Sequence, residues 1–168
     1  MDHGIFYHIY PLGLLGADKT NDLVSVSIDR LSVLNVWLAH IKKLGCKALY
    51  IGPVFESSSH GYDTVDYYKV DRRLGDDAAL INLIKNAHEM GIRVVLDGVF
   101  NHVGRDFFAF KGLKKFGKNS TYINWFSNVD FGKRSPLEDP FTYDTWASYY
   151  QLVKLNLKNK EVRDYLLG

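Results

Sequence analysis

The sequence has few of the residues that staple, kink or anchor a chain: one cysteine, four prolines and two methionines among 168 residues. A single thiol cannot close an internal disulfide, so no oxidising compartment is required. Cys46 follows Gly45 at the edge of an apolar run and reads as a buried spectator rather than a nucleophile. No apolar run approaches the roughly 20 residues that span a bilayer. The amino-terminal Met1-Asp2-His3-Gly4 lacks the cationic start and apolar stretch of a secretory signal, so a cytoplasmic location is expected and no membrane partner. Charge of one sign never gathers into a block. The 21 basic and 19 acidic residues are scattered, and a net charge of +2 leaves no footprint for nucleic acid and points to a neutral ligand. No glycine-rich phosphate loop follows any apolar run, which argues against a phosphate-binding protein.

What is present is the makeup of an ordinary globular domain, 46% hydrophobic and 24% charged. Aromatics reach 14%, with 11 Tyr and 10 Phe, which suits core packing and also a site that stacks flat faces on a ligand. Residues 5–10 are apolar and aromatic up to Pro11 and predict a strand buried on both faces. From Ser27, Leu31, Leu34, Trp37, Leu38, Ile41 and Leu44 recur at helical spacing, and Gly45 can take the positive φ that ends a helix. Residues 48–54 predict a second strand, broken at Gly52-Pro53. Asp76 and Asp77 stand where a cap and first-turn negative charge favour a helix start. Leu80, Leu83, Ile84, Ala87 and Met90 form its apolar face, and Gly91 ends it. Residues 92–96 predict a third strand ending at Asp97. Alternation with short helix-to-strand connections implies right-handed crossovers and parallel strands, an α/β fold. Residues 103–155 show no sustained period beyond one short helix at 106–116 and read as an insertion. Trp125 and Trp146 are expected in its core, with ligand contact the alternative. Residues 159–167 resume a helical pattern through Val162, Tyr165 and Leu166.

Ligands of parallel α/β folds bind at the carboxyl ends of the strands. After the second strand comes Ser57-Ser58-Ser59-His60-Gly61-Tyr62-Asp63. After the third comes Asp97-Gly98-Val99-Phe100-Asn101-His102, whose alternation would put Asp97, Val99 and Asn101 on one side. A neutral sugar needs directional partners for its hydroxyls and apolar contact for its C–H faces, and His, Asp and Tyr supply both.

These segments, with Tyr7 to Pro11, resemble the α-amylase superfamily of glycoside hydrolases. Residues 97–102 match that family's Asp-x-Val-x-Asn-His signature. His60-Gly61-Tyr62-Asp63 followed by Asp66-Tyr67 is similar to its strand-two loop. Leu152-Val153-Lys154-Leu155-Asn156 is similar to the Met-Pro-Lys-Leu-Asn stretch of the neopullulanase and cyclomaltodextrinase branch, with Leu and Val in the first two places. The resemblance implies a partial (β/α)8 (TIM) barrel: the first three β/α units in residues 1–102, a B-domain-like insertion after strand three in 103–155, and the start of barrel helix three in 156–168. It implies that Tyr62 stacks on a sugar ring, that His60 and His102 hydrogen-bond its hydroxyls, and that Asp97 supports neighbouring polar groups. Asn101 joins the substrate-binding set and is a calcium ligand in some relatives. No cofactor is required by the resemblance, and no further member of a calcium set is identifiable.

Retaining glycoside hydrolysis needs two carboxyl groups about 5 Å apart. In the family these, and a supporting carboxylate, lie beyond strand three, and Asp97 holds only a supporting role. The expectation is therefore the amino-terminal part of an enzyme acting on starch or maltooligosaccharides, inactive by itself. The alternative is a non-catalytic carbohydrate-binding partial barrel. Because a barrel of this type takes ~250 residues to close, two sheet edges are expected to stay unpaired and to invite self-association.

Overall fold

The computed structural model describes residues 4–168; the signal-sequence reading at Met1, Asp2 and His3 lies outside the described residues. The chain forms two compact units, residues up to 61 together with 68–98, and residues 62–67 together with 99–168.

In the first unit, β1 (Phe6–Ile9) leads into a single-turn helix, α1 (Pro11–Leu14), that opens with proline, where a missing N–H costs no helical bond. A 3₁₀ turn at Leu31–Leu34 runs directly into α2 (Asn35–Lys43). Leu31, Leu34, Leu38 and Ile41 are fully buried, and Gly45 ends the helix at φ +77° as its position predicts. Leu44, expected on the apolar face, is instead exposed, because it lies past the last helical residue and turns outward with the chain.

β2 (Ala48–Ile51) follows, then β3 (Phe55–Ser57) and β4 (Thr64–Val70), which make a two-stranded sheet and of which β4 has only residues 68–70 in this unit, then α3 (Asp77–Glu89) and β5 (Arg93–Leu96). Asp76 caps α3, its carboxylate accepting from the Ala79 N–H at 2.9 Å. The three strands β1, β2 and β5 form one parallel sheet with β2 in the middle, and Ile9, Ile51 and Leu96 share a register. The parallel α/β expectation holds. The first strand is not buried on both faces, however: Phe6 is 55% exposed. As an edge strand it turns only Tyr7 and Ile9 toward α2, where Tyr7 meets the rings of Trp37 and His40. Cys46 is buried, as expected.

The second unit contains β6 (His102–Gly104), α4 (Phe108–Phe116), β7 (Thr145–Trp146), β8 (Tyr149–Lys154) and α5 (Lys160–Leu167). The stretch read as irregular carries an antiparallel sheet in the order β6-β8-β7. Its strands are short and one pairing is bulged between Thr145 and Trp146, so the two-residue period never runs long enough to be seen in sequence. Phe107, Phe110 and Phe141 are fully buried, and Trp125 fills the same core while its indole N–H donates to Glu161 of α5 at 3.0 Å. Trp146 is not a core residue: it is 49% exposed on the β7–β8 hairpin, beyond the reach of that core. Asn159 caps α5 by accepting from the Glu161 N–H.

Candidate sugar-binding site

In the first unit the strands end together. The Gly52 N–H donates to Ile9 O at 2.8 Å and the Asp97 N–H to Ile51 O at 3.0 Å, so Asp97 sits at the carboxyl rim of the sheet, half-buried. The residue 57–61 loop reaches the same rim, where the Tyr10 hydroxyl donates to the carbonyl of exposed His60 at 2.9 Å. Below that loop lies a clamp that inspection of the sequence missed. The Arg73 guanidinium makes two bonds to Asp71, 2.7 and 2.9 Å, and one to Ser57 Oγ at 2.9 Å. It also donates to the carbonyls of Asp18 and Ser59 at 2.8 and 2.7 Å. Asp71 is fully buried and Arg73 nearly so. Two charges removed from water this completely are tolerable only when all their hydrogen-bonding capacity is used, and here the guanidinium uses it to fix the backbone one residue before His60.

In the second unit, segments remote in sequence converge on His102. Across the β6–β8 ladder His102 stands opposite Lys154, Val103 opposite Val153 and Gly104 opposite Leu152, and the Leu155 N–H donates to Asn101 O at 3.0 Å. The Asp97–His102 signature and the 152–156 segment, fifty residues apart, are therefore strand neighbours at its histidine end. Tyr62 enters from a third direction. A Cβ on Gly104 would lie 2.5 Å from the carbonyl oxygen of Asp63, so only glycine lets the residue 62–63 backbone pass this close to the strand that carries His102.

Tyr67, part of the strand-two motif but given no role from sequence, secures the same corner. Its hydroxyl donates to Val99 O and lies 3.3 Å from His102 O, bracketing Asn101. Burial pushes this phenol far above its ordinary range, so it remains a donor throughout the accessible pH range.

His102 is buried, whereas Tyr62 is 39% exposed and Asn101 is exposed. The Asn101 side-chain amide lies 3.2 Å from His102 Nδ1, so the asparagine holds the ring by that edge. Residues 97–101 do not continue as a strand. Val99 is buried while Asn101 is exposed, so the expected strand alternation is lost where the chain bends into β6. Asn101 opens onto a cleft of about 400 Å³ that Asn128, Asp144, Lys154 and Asn156 also line.

That cleft is a poor seat for calcium. Asp144 is its one carboxylate and already accepts from Asn128 at 2.9 Å, two lysines line the same wall, and a hard cation asks for roughly six to eight oxygens. Among the described residues no three His, Cys, Asp or Glu side chains converge elsewhere. Among the described residues no helix is long and apolar enough to cross a membrane.

Residues 31–168 match the α-amylase catalytic domain model. The chain belongs to that family of glycoside hydrolases. Among α-amylase-family relatives, a cyclomaltodextrinase of Thermoanaerobacter pseudethanolicus is 35% identical over 178 residues, covering 96% of this chain and 30% of that protein. Neopullulanase 2 of Thermoactinomyces vulgaris is 40% identical over 131 residues, covering 77% of this chain and 22% of that protein. The ligand-free cyclic α-maltosyl-(1→6)-maltose hydrolase of Arthrobacter globiformis superposes with a TM-score of 0.80 at 33% identity, over 98% of this chain and 40% of that one. The chain thus spans less than half the length of these α-amylase-family proteins. Its fold is that of part of their TIM-barrel architecture, and the neopullulanase and cyclomaltodextrinase branch expected from the 152–156 segment is among its relatives.

Proposed function

We propose that the chain is the amino-terminal part of a retaining α-glucan hydrolase, holding three β/α units of a (β/α)8 barrel in residues 1–102, a B-domain-like insertion in 103–155 and the start of a barrel helix in 156–168. The observation that carries the reading is the convergence on His102 of three segments: its own signature, the 152–156 strand laddered against it, and the Tyr62-Asp63 backbone packed on Gly104. In this reading Tyr62 stacks on a glucose ring. His102 hydrogen-bonds a sugar hydroxyl; in the first unit His60 is assigned a sugar hydroxyl and Asp97 the support of its neighbouring polar groups. The substrate is a neutral α-1,4- or α-1,6-linked glucan, the location is cytoplasmic, and the open edges of β1 and β5 pair with the remainder of the barrel or with another copy of the chain.

None of these residues is a nucleophile or acid catalyst. The two carboxyl groups that cleave a glycosidic bond about 5 Å apart come from elsewhere in the whole enzyme. The test has two arms. By calorimetry the chain should bind maltoheptaose without hydrolysing it, and Tyr62→Ala and His102→Ala should each weaken binding about tenfold or more. When joined to its downstream coding sequence it should hydrolyse the same sugar with retention of anomeric configuration. Hydrolysis by the chain alone would refute the first arm; binding without turnover by the extended protein would leave a carbohydrate-binding module instead.

A further inference from the structure

The β7–β8 hairpin carries two aromatic rings that the core of its unit does not use. Trp146 and Tyr149 are directly opposed across the ladder, 49% and 62% exposed, while Phe107, Phe110 and Phe141 of the same unit are fully buried. Their ring planes are nearly parallel, 21° apart, with centroids 6.2 Å from each other. The turn between them is Ala147-Ser148 with φ of 47° and 66°. A tight two-residue turn with both φ positive normally takes Asn-Gly or Gly-Gly, because a Cβ resists that conformation. Here an alanine and a serine hold it, and the turn sets the two rings side by side on the hairpin. The buried His102 ring lies 5.7 Å from that of Trp146, tilted 38° to it.

We propose that Trp146 and Tyr149 form a stacking platform for a further glucose unit of a linear maltooligosaccharide, next to the unit that His102 contacts. The inference rests on the functional reading above and extends it from one sugar to a chain of sugars. Flat, uncharged, exposed rings beside a hydrogen-bonding imidazole match a ligand whose units have an apolar face and a hydroxylated rim. A stacked nucleobase would bring a phosphate, and the charges of this chain are scattered rather than gathered to receive one.

The experiment compares maltotriose with maltoheptaose on the purified chain by calorimetry and tryptophan emission. In the wild type the longer sugar should bind about tenfold tighter. Trp146→Ala and Tyr149→Ala should each erase most of that advantage while leaving maltotriose affinity within twofold. Trp146→Phe should keep it but lose the sugar-induced emission change, and Ser148→Gly, which preserves the turn, should leave both sugars unaffected. A length advantage that survives both alanine variants in folded protein overturns the platform, as does a loss of maltotriose binding equal to that of maltoheptaose. Failure of the wild type to bind either sugar overturns the functional reading, and the platform with it.

Discussion

The two units reach order by different chemistry. The first is a parallel sheet whose buried apolar side chains are almost all aliphatic, Leu31, Leu34, Leu38, Ile41, Leu49, Ile51, Leu74 and Leu83 among them. The second is built on interlocking rings, with Phe107, Phe110, Trp125, Phe126, Phe141 and Tyr143 in its core and a short, bulged antiparallel sheet. Each also holds an arginine–carboxylate clamp, Arg73–Asp71 in one and Arg105–Asp139 in the other. Aliphatic residues at regular helical and strand spacing make a frame that repeats. Rings brought together from scattered positions make an irregular shell, and it is on such a shell that Trp146 and Tyr149 stay outside.

Substitutions in the two units separate the two kinds of core. Arg73→Ala leaves the fully buried Asp71 without its cation, and should cost about 3–5 kcal/mol in urea unfolding followed through Trp37. Arg105→Ala, at a pair with greater access to water, should cost clearly less when followed through Trp125. If the two losses are equal, the difference in burial between the clamps has no energetic meaning. Phe110→Ala should cost about 3–5 kcal/mol and Leu38→Ala about 2–5. Asp76→Ala, which removes only a helix cap, should cost about 1 kcal/mol.

Acid distinguishes the second clamp. Burial alone would raise the Asp139 carboxyl, but hydrogen bonds from Arg105 and Ser135 outweigh it and hold the group below its usual range. A carboxylate depressed in the folded state contributes stability above its unfolded pKa of about 3.9, and that stability is lost as pH falls through the folded value. Asp139→Asn should therefore be destabilised at neutral pH and show a flatter acid limb below about pH 4. An unchanged acid limb would mean that Asp139 titrates alike folded and unfolded.

How much was legible in sequence follows the same division. In the first unit, Gly45, Gly91 and Asp76 mark helix ends by their own backbone preferences, so α2, α3, β2 and β5 could be placed before any coordinates. The strand at Thr64–Val70 has Val, Tyr and Thr that suit a strand, but the Ser-Gly-rich approach to it masks the signal. In the second unit the ladder joining His102 to Lys154 is a non-local pairing that no local period announces. The Arg73 clamp was hidden because three of its five bonds reach Asp18, Ser57 and Ser59, two of them backbone carbonyls, and a carbonyl carries no residue signature. Gly104 could have been suspected as a close-approach glycine, but what approaches it is visible only in three dimensions.

The central claim is that sugar meets this chain where the Tyr62 segment, the Asn101-His102 turn and the 152–156 strand converge. Amide ¹H–¹⁵N spectra recorded during a maltoheptaose titration test it most directly. Saturable shifts are expected at residues 62–63, 101–104 and 152–156, with the exposed apolar segment around Val24 and Val26 unmoved. Shifts confined to that segment, or absent at residues 101–104 under saturating sugar, would contradict it.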